Sequence, residues 1–320
     1  MVFLPKQAEA KIKNGGDLAY EEAICLAEEA DFEELLAAAD EIRYLATGNK
    51  MDLCSIMNAK SGRCSENCKF CAQSGHYRTQ AAEYPLVDSG WALQLAKENE
   101  ARGVRRFSLV TSGKMLTEAE FERIIEIYKV LSRETQLRLC ASLGCIGYER
   151  AVRLKEAGVS RYHHNVETGS DYYGRICDTH SYQERIETIE NVKKARLEVC
   201  SGGILGLGED MTQRVRMAFE IKAMGIKSVP LNILNPIPGT PLQDAPTLQP
   251  EEILRSMAIF RLIIPDAVIR YAGGRNALAA FQKRGLKAGI NGMMVGDYLT
   301  TTGSKLEEDL MMIEEQGFEV

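Results

Sequence analysis

The sequence predicts an α/β fold: a (β/α)8 barrel of the TIM type behind an N-terminal helical extension. Three observations support it. Residues 1–48 read as helices, with acidic residues set between apolar ones in "YEEAICLAEEADFEELLAAADEIRYLA". From about residue 51 short strand-like stretches alternate with amphipathic helical ones. Eight such strands can be placed, the number a barrel needs. A doubly wound sheet shows a similar alternation. With 320 residues, 45% of them hydrophobic, the chain has enough apolar surface for one large core.

The expected strands are 52–58, 105–111, 136–142, 161–167, 197–204, 228–234, 267–272 and 289–295. Among the helices between them, "TEAEFERIIEIYKVL" carries a capping box at Thr117 and Glu120 and an apolar face of Phe121, Ile124, Ile125 and Tyr128. "NPIPGTPLQDAPTLQPEE" (235–252) is a Pro-rich loop after the sixth strand. The domain division expected is 1–48 for the helical extension and 49–320 for the barrel with a C-terminal tail.

Composition excludes several classes. The net charge of −6 is spread along the chain without a basic block, which disfavours a nucleic-acid partner. Arg261 and Pro265 interrupt the most apolar candidate for a membrane span, "MAIFRLIIPDAVI", so no membrane association is expected. The first residues lack the long apolar run of a signal peptide. Nine cysteines without an export signal point to metal or redox use rather than disulfides, and to a cytoplasmic location. Cys25 falls on a helical apolar pattern and reads as a small core residue.

Strand parity says more than strand count, because side chains alternate between the two faces of a strand. The third strand sets Leu137, Leu139 and Ala141 against Arg138, Cys140 and Ser142. The fourth sets Tyr162, His164 and Val166 against His163, Asn165 and Glu167. In the fifth, Leu197 and Val199 oppose Cys200. In the sixth, Val229, Leu231 and Ile233 oppose Asn232, and in the seventh Ile269 and Tyr271 oppose Arg270. The apolar rows should pack on the outer helices. That leaves Cys140, Asn165, Glu167, Cys200, Asn232 and Arg270 inside the barrel, where polar groups are costly unless something binds them. The barrel interior is therefore the expected active site.

Residues 61–77, "SGRCSENCKFCAQSGHY", place Cys64, Cys68 and Cys71 within eight residues after the first strand. Clustered thiolates suit iron–sulfur clusters and zinc. With His76 as a fourth ligand, a zinc knuckle is one reading. A four-iron cluster usually takes four cysteines, and with three it keeps one iron open to a ligand.

The spacing Cys64-x3-Cys68-x2-Cys71, with Phe70 before the last cysteine, resembles the signature of radical S-adenosylmethionine enzymes. In such enzymes the open iron binds the amino and carboxylate groups of S-adenosylmethionine, whose cleavage releases a 5′-deoxyadenosyl radical that abstracts hydrogen. The resemblance is to the biotin synthase family. It is carried by "NAKSGRCSENCKFCAQS" (58–74), "YHHNVET" (162–168), "CSGGILGLGE" (200–209), "VPLNILNPIPGTPL" (229–242) and "IRYAGGR" (269–275). It implies sulfur insertion between C6 and C9 of dethiobiotin, by two hydrogen abstractions that each use one S-adenosylmethionine.

By this resemblance Cys64, Cys68 and Cys71 are the ligands of a catalytic 4Fe–4S cluster. Thr111, Ser112 and Gly113 form the turn that holds the methionine amino group, Arg185 meets its carboxylate, and Asn165 and Glu167 meet the ribose. Ile204 and Gly206 lie where adenine passes; the glycine stretch around them fits no nucleotide fingerprint. Asn165 and Asn232 hold the ureido ring of dethiobiotin, and Thr300 and Thr301 its carboxylate. Asn232 reads equally well as a residue that satisfies a buried strand end, and Thr300 as a helix start. The resemblance further implies an electron donor such as flavodoxin or ferredoxin, and a homodimer.

A second, auxiliary iron–sulfur cluster is implied deep in the barrel as the sulfur source, usually held by three cysteines and an arginine. Cys140, Cys200 and Arg270 match three of those four positions, but the second strand offers Ser108 instead of a cysteine. Cys54, in the row of Asn58 on the first strand, or Cys145, nearer the mouth, could supply the missing thiolate. The expected set is Cys140, Cys200 and Cys54 with Arg270, around a 2Fe–2S cluster or a larger four-iron form. An interior Arg270 itself implies an anionic partner. His163 and His164 read as supporting residues and Cys177 as structural. The rival readings are a hydrogenase maturase or mutase on the same barrel, a zinc-stabilised binding protein, and a plain electron carrier.

Overall fold

The structure is a computed structural model, and it describes residues 3–296, 299–300 and 305–320. Three helices come first: α1 (Pro5–Lys13), α2 (Tyr20–Glu29) and α3 (Phe32–Thr47). The strands are β1 (Asp52–Lys60), β2 (Arg106–Thr111), β3 (Arg138–Ser142), β4 (Val159–His163), β5 (Glu198–Cys200), β6 (Gly203–Leu205), β7 (Ser228–Ile233), β8 (Val268–Tyr271) and β9 (Gly292–Met294). The helices α4 (Ser89–Ala101), α5 (Glu118–Glu134), α6 (Tyr148–Glu156), α7 (Tyr182–Lys194), α8 (Met211–Ala223), α9 (Pro250–Ile263) and α10 (Gln282–Leu286) lie between them. Helix α11 (Leu306–Glu315) ends the chain.

All pairings are parallel, in the order β5-β4-β3-β2-β1-β9-β8-β7-β6. The two ends of that order are consecutive in the chain. β5 and β6 are one strand broken at Ser201–Gly202, whose first half pairs with β4 and second half with β7. The eight expected strands thus close a ring. The break has its cause in the facing strand. Pro230 in β7 has no N–H to give the ladder. A Cβ on Gly202 would come within 1.9 Å of the Pro230 carbonyl oxygen, so only glycine lets the two backbones approach.

The fourth strand starts earlier than the sequence suggests and its ladder ends at His163. Beyond it the backbone still bonds across, from Val166 N to Gly202 O (3.0 Å), until Glu167 turns to a φ of 70°. A positive φ at a non-glycine residue is strained.

The apolar rows go where parity puts them. Leu139, Ala141, Tyr162, Leu231, Ile269 and Tyr271 are all buried in the layer between sheet and helices. α5 is held at its start by the expected box, Thr117 Oγ1 accepting from Glu120 N. The N-terminal helices pack on the outside of the barrel: α3 and α1 against α9, and α2 against α8 and α9. Cys25 is half-buried there and its Sγ accepts from Phe3 N at 3.2 Å. No helix among the described residues is long and apolar enough to cross a membrane.

Candidate active site

The barrel interior holds a cavity of about 410 Å³, open at the end where the strands finish. That is the end at which barrel enzymes place their chemistry. All six polar residues assigned to the interior by parity line this cavity: Cys140, Asn165, Glu167, Cys200, Asn232 and Arg270. So do Cys54, Cys64, Cys68 and Cys71.

The deepest layer combines thiols with guanidiniums. Arg270 donates to Cys54 Sγ at 3.1 Å and to Asp52 Oδ1 at 2.8 Å. Arg106 reaches Cys140 Sγ at 3.6 Å, and Ser228 Oγ donates to Cys200 Sγ at 3.2 Å. Arg161 bonds Ser228 Oγ and Glu198. Sequence reasoning missed Arg106, Arg161 and Asp52. Each stands two residues before a residue already assigned inward, so continuing the same parity downward would have found them. Ser108 pairs in register with Cys140 and faces the cavity as expected. Cys145 is not among the residues that line the cavity; its N–H bonds Lys114 O at 2.7 Å.

Burial disfavours charge on all these thiols. It raises Cys54 above the ordinary thiol range and takes Cys140 to about 11. At Cys200 the burial effect is outweighed by the hydrogen bond and charge of His163 and by Arg270 and Arg161, which bring it down to about 6.

Above this layer, the loop after β1 carries the triplet. Hydrogen bonds from Cys64 N to Gln73 O (3.0 Å), from Gly75 N to Cys64 O (2.7 Å) and from Cys71 N to Cys68 O (2.9 Å) shape the loop. Burial pushes Cys71 up to about 11. His76 is exposed and its Nε2 meets Ser65 O at 2.9 Å, which turns it away from a zinc knuckle. Among the described residues the three sulfurs of the triplet do not all fall within 4.8 Å of one another, the span of a single ion's ligands. A polynuclear cluster, being wider, suits them better.

Orphaned polar atoms make the same point below. Ser108 Oγ, Thr111 Oγ1 and the Nε atoms of Arg106 and Arg270 are buried without a protein partner. Each such atom costs about 1–3 kcal/mol. Three guanidiniums face three thiols, and among the described residues the carboxylates paired with them are Asp52 and Glu198. The residues present fit a bulky anionic group, as an iron–sulfur cluster would be.

The remaining assigned residues form the upper wall. Arg185 is buried, donates to Tyr173 Oη (2.7 Å) and Asn165 O (2.8 Å), and lies 3.3 Å from Glu167. Asn165 takes Gly202 N on its Oδ1 at 3.0 Å. Thr111, Ser112, Gly113 and Ile204 line the cavity, whereas Gly206 stands behind the wall, donating to Glu209 Oε1 at 2.8 Å. Asn232 donates to Gly203 O (3.1 Å) and accepts from Gly273 N (2.9 Å), tying three strand ends together while it faces the cavity. Thr300 lines the rim; Thr301 lies outside the described residues. Two further contacts had no sequence signal. Asn58 Nδ2 bonds Leu299 O at 2.9 Å, and Cys177 Sγ lies 3.7 Å from Cys68 Sγ.

Comparison with known proteins agrees with this site. Residues 59–221 match the radical SAM superfamily model, and residues 230–319 match the model described as the Biotin and Thiamin Synthesis associated domain. A biotin synthase of Acetivibrio thermocellus is 58% identical over 98% of both chains. One of Pelotomaculum thermopropionicum is 55% identical over 95% of both chains. One of Clostridioides difficile is 53% identical over 97% of both. Among solved structures, a methylornithine synthase aligns over 98% of this chain and 96% of its own, with a TM-score of 0.81 at 18% identity. A maturase of the FeFe-hydrogenase aligns over 98% of this chain and 74% of its own, with a TM-score of 0.84 at 17% identity. These two speak for the fold alone. The curated relatives span the whole barrel, the triplet and the thiol layer beneath it, and on that ground the chain belongs to the biotin synthase family of radical S-adenosylmethionine enzymes.

Proposed function

We propose that this chain inserts sulfur into dethiobiotin to form biotin, using S-adenosylmethionine and an auxiliary iron–sulfur cluster as the sulfur donor. The observation that carries the reading is the layering of the cavity: three thiols with Arg270 at the bottom, the Cys64–Cys68–Cys71 loop at the mouth, and amide and hydroxyl groups between. Cys64, Cys68 and Cys71 would hold a 4Fe–4S cluster. Cys140, Cys200 and Cys54, with Arg270, would hold the auxiliary cluster as a two-iron or a larger four-iron form. When bound, the catalytic cluster with S-adenosylmethionine supplies the power to abstract hydrogen from unactivated C–H bonds.

The chain's own residues bind and orient. Thr111 and Ser112 take the methionine amino group, and the Arg185 cation takes its carboxylate. Asn165 and Glu167 take the ribose. Ile204 covers one face of the adenine, and Gly206 keeps the turn behind it in place. Asn165 and Asn232 offer the donors and acceptors that a ureido ring needs, and Thr300 and Thr301 meet the far carboxylate. Cys200 enters as a thiolate, and the guanidiniums of Arg106, Arg161 and Arg270 offset the negative charge gathered in a dry interior. An external one-electron donor such as flavodoxin or ferredoxin, a homodimer, a cytoplasmic location and a division at residue 48 between helical extension and barrel complete the reading.

The test is an anaerobic reaction of reconstituted protein with reductant, S-adenosylmethionine and deuterated dethiobiotin, read by mass spectrometry. Biotin together with deuterium in 5′-deoxyadenosine is expected. Unlabelled 5′-deoxyadenosine without biotin would move the assignment to another radical enzyme on this barrel.

A further inference from the structure

A second set of donors converges on Cys68 of the triplet, from residues that do not line the cavity. Cys177 and His180 lie on the loop between the short 3-10 turn Tyr173–Arg175 and α7, in the stretch "CDTH". Lys69 N donates to Ile176 O at 2.9 Å, which locks this loop to the cysteine loop. Cys68 Sγ, Cys177 Sγ and a ring nitrogen of His180 all lie within 4.8 Å of one another, and all three residues are buried. The sulfurs are 3.7 Å apart, and Cys177 Sγ is 3.2 Å from His180 Nδ1. Tetrahedral zinc, with bonds of about 2.3 Å to sulfur and about 2.0 Å to nitrogen, needs edges of about 3.8 Å and about 3.5 Å for those pairs. Glu66 flanks the trio: its Oε2 sits 2.6 Å from His180 Nδ1, closer than two ligands of one ion stand, and accepts from Thr179 Oγ1 at 2.8 Å. A buried trio of two thiols and an imidazole, backed by a buried carboxylate, has soft-metal chemistry rather than packing chemistry.

We propose that the cluster-free chain binds one thiophilic divalent cation, such as Zn2+ or Fe2+, through Cys68, Cys177 and His180, with the fourth position taken by water. Binding releases the two thiol protons and any proton on His180 Nδ1, and involves no change of oxidation state. The site shares Cys68 with the triplet. On the reading that the triplet holds the catalytic cluster, cation and cluster compete for that sulfur. The site is then either a docking point for iron during loading or a point at which zinc blocks loading.

The experiment titrates the full chain, reduced and stripped of iron, with Co2+ under anaerobic conditions, followed by displacement with Zn2+. One equivalent with tetrahedral d–d bands and a thiolate charge-transfer band is expected. Cys177→Ser and His180→Ala should each weaken binding by about 100-fold or more, as loss of a direct ligand costs at least what loss of a supporting residue does. Cys64→Ala and Cys71→Ala should leave it unchanged, and circular dichroism checks that each variant is folded. Loss of binding in Cys64→Ala or Cys71→Ala, or intact binding in Cys177→Ser, overturns the proposal. In a second arm, Zn2+ added before iron and sulfide should slow reconstitution of the parent chain but not of Cys177→Ser. Equal slowing in both overturns the competition. Because the Co2+ spectrum needs no turnover, its outcome is independent of whether dethiobiotin is the substrate.

Discussion

Arg270 donates a hydrogen bond to Cys54 Sγ at 3.1 Å, joining β8 to β1 across the floor of the barrel. The pairing bears on the position where the family resemblance leads one to expect a cysteine and the chain has Ser108. Ser108 pairs in register with Cys140, whereas Cys54 stands on the neighbouring strand and reaches the same floor. Asp52 already gives this buried guanidinium one anion, and a ligating thiolate at Cys54 would give it a second. Cys54→Ala should therefore lower the auxiliary iron and acid-labile sulfide by at least half while the catalytic cluster's signal persists. Iron and sulfide analysis with Mössbauer spectroscopy reads both pools. Unchanged auxiliary content removes Cys54 from the ligand set.

Asn58 tests the rim. Its Nδ2 bonds Leu299 O at 2.9 Å, which ties Leu299, next to Thr300 on the cavity wall, to β1. A net hydrogen bond of this type is worth about 1 kcal/mol, or a factor of about 5 to 10 in affinity. Asn58→Ala should raise the KM for dethiobiotin by that factor and leave S-adenosylmethionine binding unchanged. An equal loss for both ligands would mean that the rim acts on the whole cavity.

How far the sequence reaches is clear from which side chains it located. Alternation along a strand is a local rule, so every residue assigned inward from β3 to β8 does face the cavity. The same rule extended by two residues reaches Arg106, Arg161 and Asp52, which were passed over because surface cations and acids are the commoner case. Cys177 was read as structural for a different reason. Its partners Cys68 and Asn67 are 109 and 110 positions away, brought close by two loops that no periodicity describes. Likewise Asn58 and Leu299 are 241 positions apart. The break between β5 and β6 depends on Pro230 two elements later, so no local pattern could show it.

Acid sensitivity should trace in part to Glu184. Its side-chain hydrogen bond with Lys114, helped by the backbone bond of Ser181, holds its carboxyl down at about 2, against an ordinary 4.5. The folded-state value is the lower one, so the stabilisation is complete above about 4.5 and is lost as pH falls towards 2. The pair is about a third exposed, so screening limits it to roughly 0.5 kcal/mol. Glu184→Gln should be less stable than the parent chain at pH 7 by that amount, and the difference should vanish near pH 2. Urea midpoints at the two pH values measure it.

The sharpest test of the adenine wall is the buried pair behind it. Glu209 Oε1 accepts from Gly206 N at 2.8 Å and from Arg214 Nε at 2.6 Å, and neither side chain is exposed. The carboxylate thus does two things at once: it neutralises Arg214 on α8 and it fixes the turn that follows Ile204. Glu209→Ala removes both, leaving Arg214 with the half-exposed Glu252 as its carboxylate partner, and should cost about 3 kcal/mol of stability. The double variant Glu209→Ala, Arg214→Met removes the stranded charge and replaces it with apolar volume, so most of that stability should return. Gly206 N remains unpaired in both. If the turn matters for the adenine, S-adenosylmethionine affinity measured by equilibrium binding should stay about tenfold down in the stable double variant, one lost hydrogen bond to a charged group being worth about 1.5 kcal/mol or more. Recovery of affinity together with stability would show that Glu209 acts through α8 and not through the turn.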